Sequence, residues 1–413
     1  MLAIYALSLV ILLLIFRRIG KFEVPIWASM TIGALIVIAG GAIGIENALG
    51  AIDLNVILFL FGAFAIARAL EMSGLLEEFA YRALKRAKNY DELLLIVLFG
   101  AGILSALLMN DTLAVVGTPI VILIARKLGL GAKPFLLALA FAVTIGSVFS
   151  PVGNPQNLLI ATKSSMASPF VLFAQHLFLP SLLNLVVAFF ILKLLFKQKG
   201  VAGRFELPRT LHMVRDSNLA AAAKVSVALF VLLILAHVVT GVLGFETALP
   251  LPAISVVAAL PLFIFSRRRF ELLRTLEWGT LLMFASMFVL IGAVWDEGLF
   301  QSLIPSIAHN AMDVGAILLL SALVSQFVSN VPFTALYLPV LASAGAGSRE
   351  YLALAAGTTL AGNLTLMGAA SNLIIVTGAE ERGERITFFE FMKIGVLLTA
   401  LNLLVVFAFL SLA

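Results

Sequence analysis

The stretch SALLMNDTLAVVGTPIV, residues 105–121, recurs in the second half of the chain as SQFVSNVPFTALYLPVL, residues 325–341. The two align without a gap, and they share a serine, an asparagine and a proline in register. These pairs are Ser105 with Ser325, Asn110 with Asn330, and Pro119 with Pro339. Any two apolar segments share leucine and valine by chance, but shared polar residues and prolines at one spacing indicate an internal repeat.

Two further matches occur in the same order along the chain. IDLNVILFLFGAFAIARALEMSGLL, residues 52–76, aligns with LEWGTLLMFASMFVLIGAVWDEGLF, residues 276–300, and GNPQNLLIA, residues 153–161, aligns with GAASNLIIV, residues 368–376. In the first of these matches, Asp53 falls on Glu277, Phe64 on Phe288, Ala69 on Ala293 and Gly74 on Gly298. Three collinear matches predict that the two halves of the chain share one architecture.

The composition places this architecture in a membrane. Of the 413 residues, 62% are hydrophobic and only 12% are charged. A soluble protein of this length could not bury so much apolar surface away from water, so the solvent of this chain must be lipid. Apolar runs such as residues 2–16 and 220–235 are uninterrupted, whereas barrel strands alternate apolar and polar positions. The chain is therefore predicted to be an all-α polytopic membrane protein.

Charge and cysteine usage exclude several other classes. The net charge is +5, but the Lys and Arg residues lie in short loops beside apolar spans, which is typical of membrane topology and not of nucleic-acid binding. The absence of cysteine excludes disulfides, thiolate metal sites and thiol nucleophiles. No Walker A, HExxH or GxSxG motif occurs. An intramembrane enzyme is a distant alternative, because it would need paired catalytic groups at membrane depth.

The distribution of basic loops predicts the topology. The segment 198–216 is basic and too polar to span, so it is predicted to be a cytoplasmic linker between a first repeat, 1–197, and a second repeat, 217–413. All the basic loops fall on the cytoplasmic side, and the acidic loops on the other side, only if residues 93–126 and 313–346 are re-entrant hairpins. Each half then has five transmembrane helices plus one hairpin, about ten spans in total. An odd number of crossings inverts the second half and places both termini outside.

Asp111 is the most informative single residue. It lies at the middle of the first hairpin between Asn110 and Thr112, and no other charge occurs for more than a dozen residues on either side. A carboxylate at membrane depth costs several kcal/mol without a partner, an ion or a proton. The alternative role is that of a helix-capping aspartate at the hairpin turn. We expect Asp111 to carry ion coupling, and the two roles are compatible.

The second hairpin has Ser329 and Asn330 at the matching point. Hydroxyl and amide oxygens suit Na⁺, and the N-terminal ends of half-helices suit an anion. No cofactor is expected apart from Na⁺ as a candidate coupling ion. The two candidate Na⁺ sets are Ser105, Asn110, Asp111 and Gly153 in the first half, and Ser325, Ser329, Asn330 and Gly368 in the second.

Two further stretches, 134–162 and 351–377, are apolar but interrupted by proline, glycine and amide residues. Proline and glycine at such density predict broken helices. Unwound backbone at membrane depth is tolerated only where it lines a cavity or is buried in protein. The remaining candidate binding residues lie in these stretches: Gly153, Asn154, Asn157, Asn363, Thr365, Gly368, Ser371 and Asn372.

At these residues the chain resembles the ion transporter superfamily. LEWGTLLMFASMFVLIGAVWDEGL, SNVPFTALYLPVL and GNLTLMGAASNLIIVTGAEERG are similar to motifs of the arsenite permease, citrate–metal symporter and P-protein group. The resemblance implies elevator-type transport by a homodimer, and an ATPase partner if the chain serves as an arsenite-type pump. Related divalent-anion sodium symporters carry Ser-Asn-Thr at both tips. Here Val331 replaces the threonine of the second tip, and the first tip reads Met109-Asn110-Asp111.

The leading hypothesis is a secondary active transporter in the cell membrane. It would move a small anion or oxyanion, dicarboxylate-like or arsenite-like, coupled to H⁺ or Na⁺, through a site at the two hairpin tips and two broken helices. The alternative is a Na⁺/H⁺ antiporter in which Asp111 binds the two cations in turn. Both make the protein a transporter whose partners are a small molecule or ion and the lipid bilayer.

Overall fold

The computed structural model describes residues 1–15, 18–19, 22–196, 214–243, 250–298 and 312–412. Within these ranges nearly all of the ordered structure is helical. The exception is a short antiparallel pair of two-residue strands, Arg18–Ile19 and Phe22–Glu23, in which Arg18 lies opposite Glu23. The predicted all-α class is therefore confirmed. Residues 198–213 of the predicted linker lie outside the described residues.

The helices follow the chain in two comparable series. Those of the first half are α1 Leu2–Ile15, α2 Ile26–Ala39, α3 Ile45–Ala51, α4 Leu54–Ser73, α5 Leu75–Leu84, α6 Tyr90–Ser105, α7 Asn110–Lys127, α8 Lys133–Ser147, α9 Pro155–Lys163 and α10 Pro169–Leu195. Those of the second half are α11 Ser217–Val242, α12 Leu251–Phe265, α13 Arg269–Arg274, α14 Trp278–Asp296, α15 Val314–Val328, α16 Asn330–Ser343, α17 Ser348–Leu360, α18 Ala370–Glu380 and α19 Phe388–Leu412.

Local sequence explains where these helices begin and end. Asp53 caps α4, because its carboxylate accepts from the backbone N–H groups of Asn55 and Val56. Gly74 ends α4 with φ of 79°, a conformation that favours glycine. Asn89 caps α6 in the same way that Asp53 caps α4, accepting from the N–H of Glu92.

Within the described ranges, five helices are long and apolar enough to cross a membrane: α4, α10, α11, α14 and α19. Shorter apolar helices include α1, α2, α8, α12 and α15. Side chains such as Leu35, Leu232 and Leu404 are about three-fifths exposed, as expected where helices face lipid and no hydrophobic cost arises. The protein is a multi-pass membrane protein.

The helices pack into two groups. In the frame group, α4 packs on α11 and α12, and α14 packs on α1, α2 and α3. In the hairpin group, α8 packs on α6, α7 and α10, α17 packs on α15 and α16, and α19 packs on α10. The amphipathic helix α5 follows α4 and contacts α6 and α7, so it joins the two groups. The groups meet where α4 and α14 contact α7, α9 and α16, where α1 contacts α15, and where α11 contacts α10.

The end of the linker is tied to α5. The N–H of Arg215 donates to the carbonyl of Ser73 at 2.9 Å, and its guanidinium lies 3.2 Å from the carboxylate of Glu77. Burial raises the pKa of Glu77, an effect that the nearby Arg215 charge opposes. Just before α11 begins, the chain therefore contacts the junction of α4 and α5, where the two helix groups are connected.

Candidate functional site

Each hairpin turns directly against the broken helix of its own half. In the first half, the backbone N–H of Asn110 at the start of α7 donates to the carbonyl of Gly153 at 3.4 Å. In the second half, the Asn330 side-chain amide at the start of α16 donates to the carbonyl of Gly368 at 3.3 Å. Asn110 pairs with Asn330 and Gly153 with Gly368 in the sequence repeat, so equivalent residues make equivalent contacts through different donors.

Ser329 holds the second tip in an unusual backbone conformation. Its φ of 77° is the one positive value for a residue other than glycine among those that the structure describes. Residues other than glycine rarely adopt a positive φ, and they do so where the surrounding structure stabilises it. The turn lets α16 begin at Asn330 immediately after α15 ends at Val328.

Asp111 reaches from the first half to the second. The carboxylate of Asp111 faces the backbone N–H of Ser371, at the start of α18, and α7 packs along α18. The Oδ1 atom of Asp111 is buried and has no hydrogen-bond partner in the described protein. The positive end of the α18 dipole therefore stabilises the carboxylate on one side, while one oxygen stays available to an ion or a proton.

The break between α8 and α9 is held by a saturated network. The Asn157 amide donates to the carbonyls of Ser147 at 3.0 Å, Val148 at 3.3 Å and Ser150 at 3.1 Å. Its Oδ1 accepts from the hydroxyl of Thr359 at 3.1 Å. The break leaves backbone carbonyls without helical partners, and the Asn157 side chain, in the first turn of α9, donates hydrogen bonds to them.

The asparagine at the break after α17 makes fewer bonds. Asn372, the repeat equivalent of Asn157, donates to the carbonyls of Gly362 at 2.7 Å and Thr365 at 3.3 Å. The Thr365 hydroxyl donates to Oε1 of Gln326 at 2.9 Å, and the Gln326 amide donates to Ala361 at 2.7 Å. Gln326 therefore links hairpin helix α15 to this break.

Several buried polar atoms around the second tip and its break have no partner within the described residues. They are Ser325 Oγ, Asn330 Oδ1, Asn363 Oδ1 and Nδ2, Ser371 Oγ and Asn372 Oδ1. Leaving a buried polar group unsatisfied costs about 1–3 kcal/mol. Such a cluster of oxygen atoms is suited to binding a desolvated cation or ordered water.

A cavity of about 290 Å³ separates the two tips from the frame group. We call it the Asp111 cavity. The hairpin group lines it with Asn110, Asp111, Pro155, Gln156, Ser329, Asn330, Val331, Met367, Gly368, Ala369, Ala370 and Leu373, and the frame group lines it with Ile26, Trp27, Gly279, Thr280 and Met283. At about 30 Å³ per water in the liquid, the space suffices for a small organic anion or a partly hydrated ion.

Four helices begin at the wall of this cavity. They are α7 at Asn110, α9 at Pro155, α16 at Asn330 and α18 at Ala370. A helix N-terminus presents unsatisfied N–H groups and a partial positive charge. Their convergence contributes partial positive charge to a cavity that no Lys, Arg or His lines among the described residues.

Five of the sequence-predicted residues line the cavity and the others, among them Gly153 and Ser325, do not. Asn110, Asp111, Ser329, Asn330 and Gly368 line the cavity. Asn154, Asn157, Asn363, Thr365, Ser371 and Asn372 lie in the two broken stretches behind the wall. Ser105 and Thr112 are not among the lining residues, and the Ser105 hydroxyl donates to the carbonyl of Gly102 at 2.9 Å within its own helix.

Sequence reasoning missed the frame side of the cavity. Trp27 lies on α2 outside every motif of the sequence analysis, and Gly279 and Thr280 lie on α14 within a repeated motif that was not expected to line the site. Gln326 was missed as well, although it directly follows the repeated Ser325 and is the one amide within an otherwise apolar α15. Within the described residues no group of three or more His, Cys, Asp or Glu could hold a metal ion.

The protein is a multi-pass helical protein with a cavity between its two helix groups. Solved transporter structures share this fold. The YdaH transporter of Alcanivorax borkumensis aligns over 89% of this chain and 86% of its own, with a TM-score of 0.63 and 15% identity. MtrF of Neisseria gonorrhoeae aligns over 99% and 94%, with a TM-score of 0.54 and 14% identity.

The chain belongs to the citrate transporter family CitMHS, whose model matches residues 11–356. An uncharacterised transporter of Mycobacterium bovis is 29% identical over 94% of this chain and 92% of its own length. The mouse P protein is 26% identical over 95% of this chain but 58% of its own length. The expected resemblance to the ion transporter superfamily is confirmed, and so is the expectation of a transporter rather than an enzyme.

Proposed function

We propose that the protein is a secondary active transporter that moves a small anion together with H⁺ or Na⁺. One observation carries this proposal: four helix N-termini and a single carboxylate, Asp111, meet in one cavity between two helix groups. The N-termini supply positive potential for an anion. The Asp111 carboxylate, with one buried oxygen unpartnered, supplies a site for the coupling cation.

The two halves would contribute differently to the bound state. Asp111 brings the negative charge from the first half, and the unpartnered oxygens of Ser325, Asn330 and Asn372 belong to the second half. A cation bound between them would neutralise the carboxylate and allow the anion to approach. Coupling follows because the anion binds poorly while Asp111 is charged and unaccompanied.

We further propose an elevator mechanism on an inverted repeat. Each half would have five crossings and one non-crossing hairpin, and the hairpin group would slide along a static frame group. The separate packing of the two groups and the position of the cavity between them support this proposal. The frame group carries exposed apolar side chains such as Leu35 and Leu232, which would face the second subunit of a homodimer or lipid.

A second candidate function is a Na⁺/H⁺ antiporter. It is favoured by the absence of Lys, Arg and His among the described residues that line the Asp111 cavity. In that case Asp111 would bind Na⁺ and H⁺ alternately, and the helix N-termini would stabilise the charged carboxylate and not a substrate.

Proteoliposome flux separates the two candidates. The purified protein would be tested with dicarboxylates, arsenite and Na⁺ under imposed pH and Na⁺ gradients, with protein-free liposomes as the control. Anion-dependent movement of Na⁺ or H⁺ would support the symporter. A Na⁺-dependent pH change without any anion would overturn it in favour of the antiporter, and a downhill flux of one species alone would overturn both.

A further inference from the structure

One ion pair joins the two helix groups. The Lys163 ammonium at the end of α9 lies 2.5 Å from the carboxylate of Asp53, which caps α4 in the frame group. Lys163 also lies over the ring of Phe288 on α14, 5.5 Å from its centroid. The other ion pairs between described residues lie within one group or on α5.

This contact lies outside the Asp111 cavity. Lys163 and Phe288 line a separate cavity, together with Trp295 and Asp296 near the C-terminal end of α14. At 1.5 Å per residue, Lys163 lies about 12 Å along α9 from Pro155, which lines the Asp111 cavity. Phe288 lies about 8 Å along α14 from Met283, which lines it as well. The ion pair therefore contacts the interface between the groups and not the proposed binding site.

The sequence repeat gives this pair a counterpart. Asp53 aligns with Glu277, and an ungapped extension of the match at 153–161 aligns Lys163 with Gly378. Glycine has no charge, but the Arg382 guanidinium occupies this position because it donates to the carbonyl of Gly378 at 2.7 Å. A carboxylate and a cation thus occur at equivalent places in both halves.

We propose that Asp53–Lys163 and Glu277–Arg382 are alternating ion pairs that each hold one end of the transport cycle. The inference rests on the proposed elevator mechanism, in which the halves of an inverted repeat exchange conformations. In the exchanged arrangement, Glu277 approaches the position next to Gly378, as Asp53 now approaches Lys163. The first pair holds the present arrangement of the groups, and the second holds the opposite one.

These are positioning residues, and they change the relative populations of the two arrangements of the helix groups. A partly exposed ion pair shifts a two-state equilibrium by about two- to fivefold. Lys163→Gln is expected to favour the opposite arrangement, and Arg382→Gln the present one. A purely structural role for these residues would not move the two variants in opposite directions.

Cysteine labelling measures this directly, because the chain contains no cysteine. Thr280→Cys places one thiol on the frame side of the Asp111 cavity. In membrane vesicles, its labelling rate should fall about two- to fivefold when Lys163→Gln is added, and rise or stay constant with Arg382→Gln. The charge swap Asp53→Lys with Lys163→Asp should restore the original rate. Equal changes in both variants, or no change in either, would overturn the proposal.

Cross-linking supplies a readout that does not depend on the substrate. A bifunctional thiol reagent with a spacer about as long as a lysine side chain should link Asp53→Cys to Lys163→Cys in the unmodified background, because the lysine side chain that spans this gap is too long for a direct disulfide. The same reagent should link Glu277→Cys to Arg382→Cys, and this product should increase when Lys163→Gln is added. Failure of the second pair to cross-link, with the first forming normally, would overturn the alternation. Loss of all coupled flux in the parent protein would instead overturn the proposed function.

Discussion

The two hairpin tips occupy equivalent places but present different chemistry. In the first half the tip ends in Asp111, and its break is saturated by the bonds of Asn157. In the second half Val331 stands where the first has Asp111, and buried oxygens of Asn330 and Asn372 lack partners. One half therefore supplies the charge, and the other supplies the neutral ligands. A repeat can keep its geometry while its two copies divide the chemistry between them.

The largest expected difference between the halves is in stability. Asn157→Ala should lower the free energy of unfolding by about 3 kcal/mol, because three carbonyls and Thr359 each lose a hydrogen bond at once. Asn372→Ala should cost about 1–2 kcal/mol, since only two carbonyls are affected. Thermal unfolding in detergent measures both, with the exposed Asn218→Ala as the control. Equal losses for both variants would contradict the asymmetry.

Coupled flux should differ between alanine variants of the two tip asparagines. Asn330→Ala removes the side-chain bond to Gly368 and an unpartnered oxygen, so coupled flux should fall about tenfold. Asn110→Ala keeps its backbone bond to Gly153 and should lose less than about threefold. Initial rates in proteoliposomes compare them, normalised to reconstituted protein. A larger loss for Asn110→Ala would reverse the assignment of neutral ligands to the second half.

The smallest expected effect concerns Ser329. Glycine adopts φ of 77° without strain, so Ser329→Gly should raise the free energy of unfolding by about 1 kcal/mol at most. Its matched control is Met109→Gly, because Met109 precedes the first tip with an ordinary φ of −52° and should be destabilised. If both variants changed the unfolding temperature in the same direction, backbone strain at the second tip would be excluded.

The sequence repeat predicted much of this site. The repeat pairs Asn110 with Asn330 and Gly153 with Gly368. In the structure Asn110 contacts Gly153 and Asn330 contacts Gly368, because repeated segments fold into equivalent local structure. The roles of Asn154 and Asn157 were harder to predict. A buried amide can face a cavity or satisfy a helix break, and only side-chain direction distinguishes these. The sequence expectation that they bind substrate stays a prediction, and their observed contacts are with the protein itself.

The frame side of the cavity could not be predicted. Trp27 and Thr280 reach the site because α2 and α14 pack together and then against the hairpin group, and no repeat or motif encodes that docking. The inverted topology, the count of about ten spans and the outward termini also stay predictions. They depend on the position of the bilayer, and helix length identifies five candidate spans by itself.

The central claim is that Asp111 couples the anion to a cation. Its most direct test compares gradient-driven uptake with substrate exchange at equilibrium in Asp111→Asn, using Asp313→Asn, an exposed cap of α15, as the control. The account predicts that Asp111→Asn loses gradient-driven uptake more than about a hundredfold while exchange falls less than about tenfold. Full gradient-driven uptake in Asp111→Asn would contradict it.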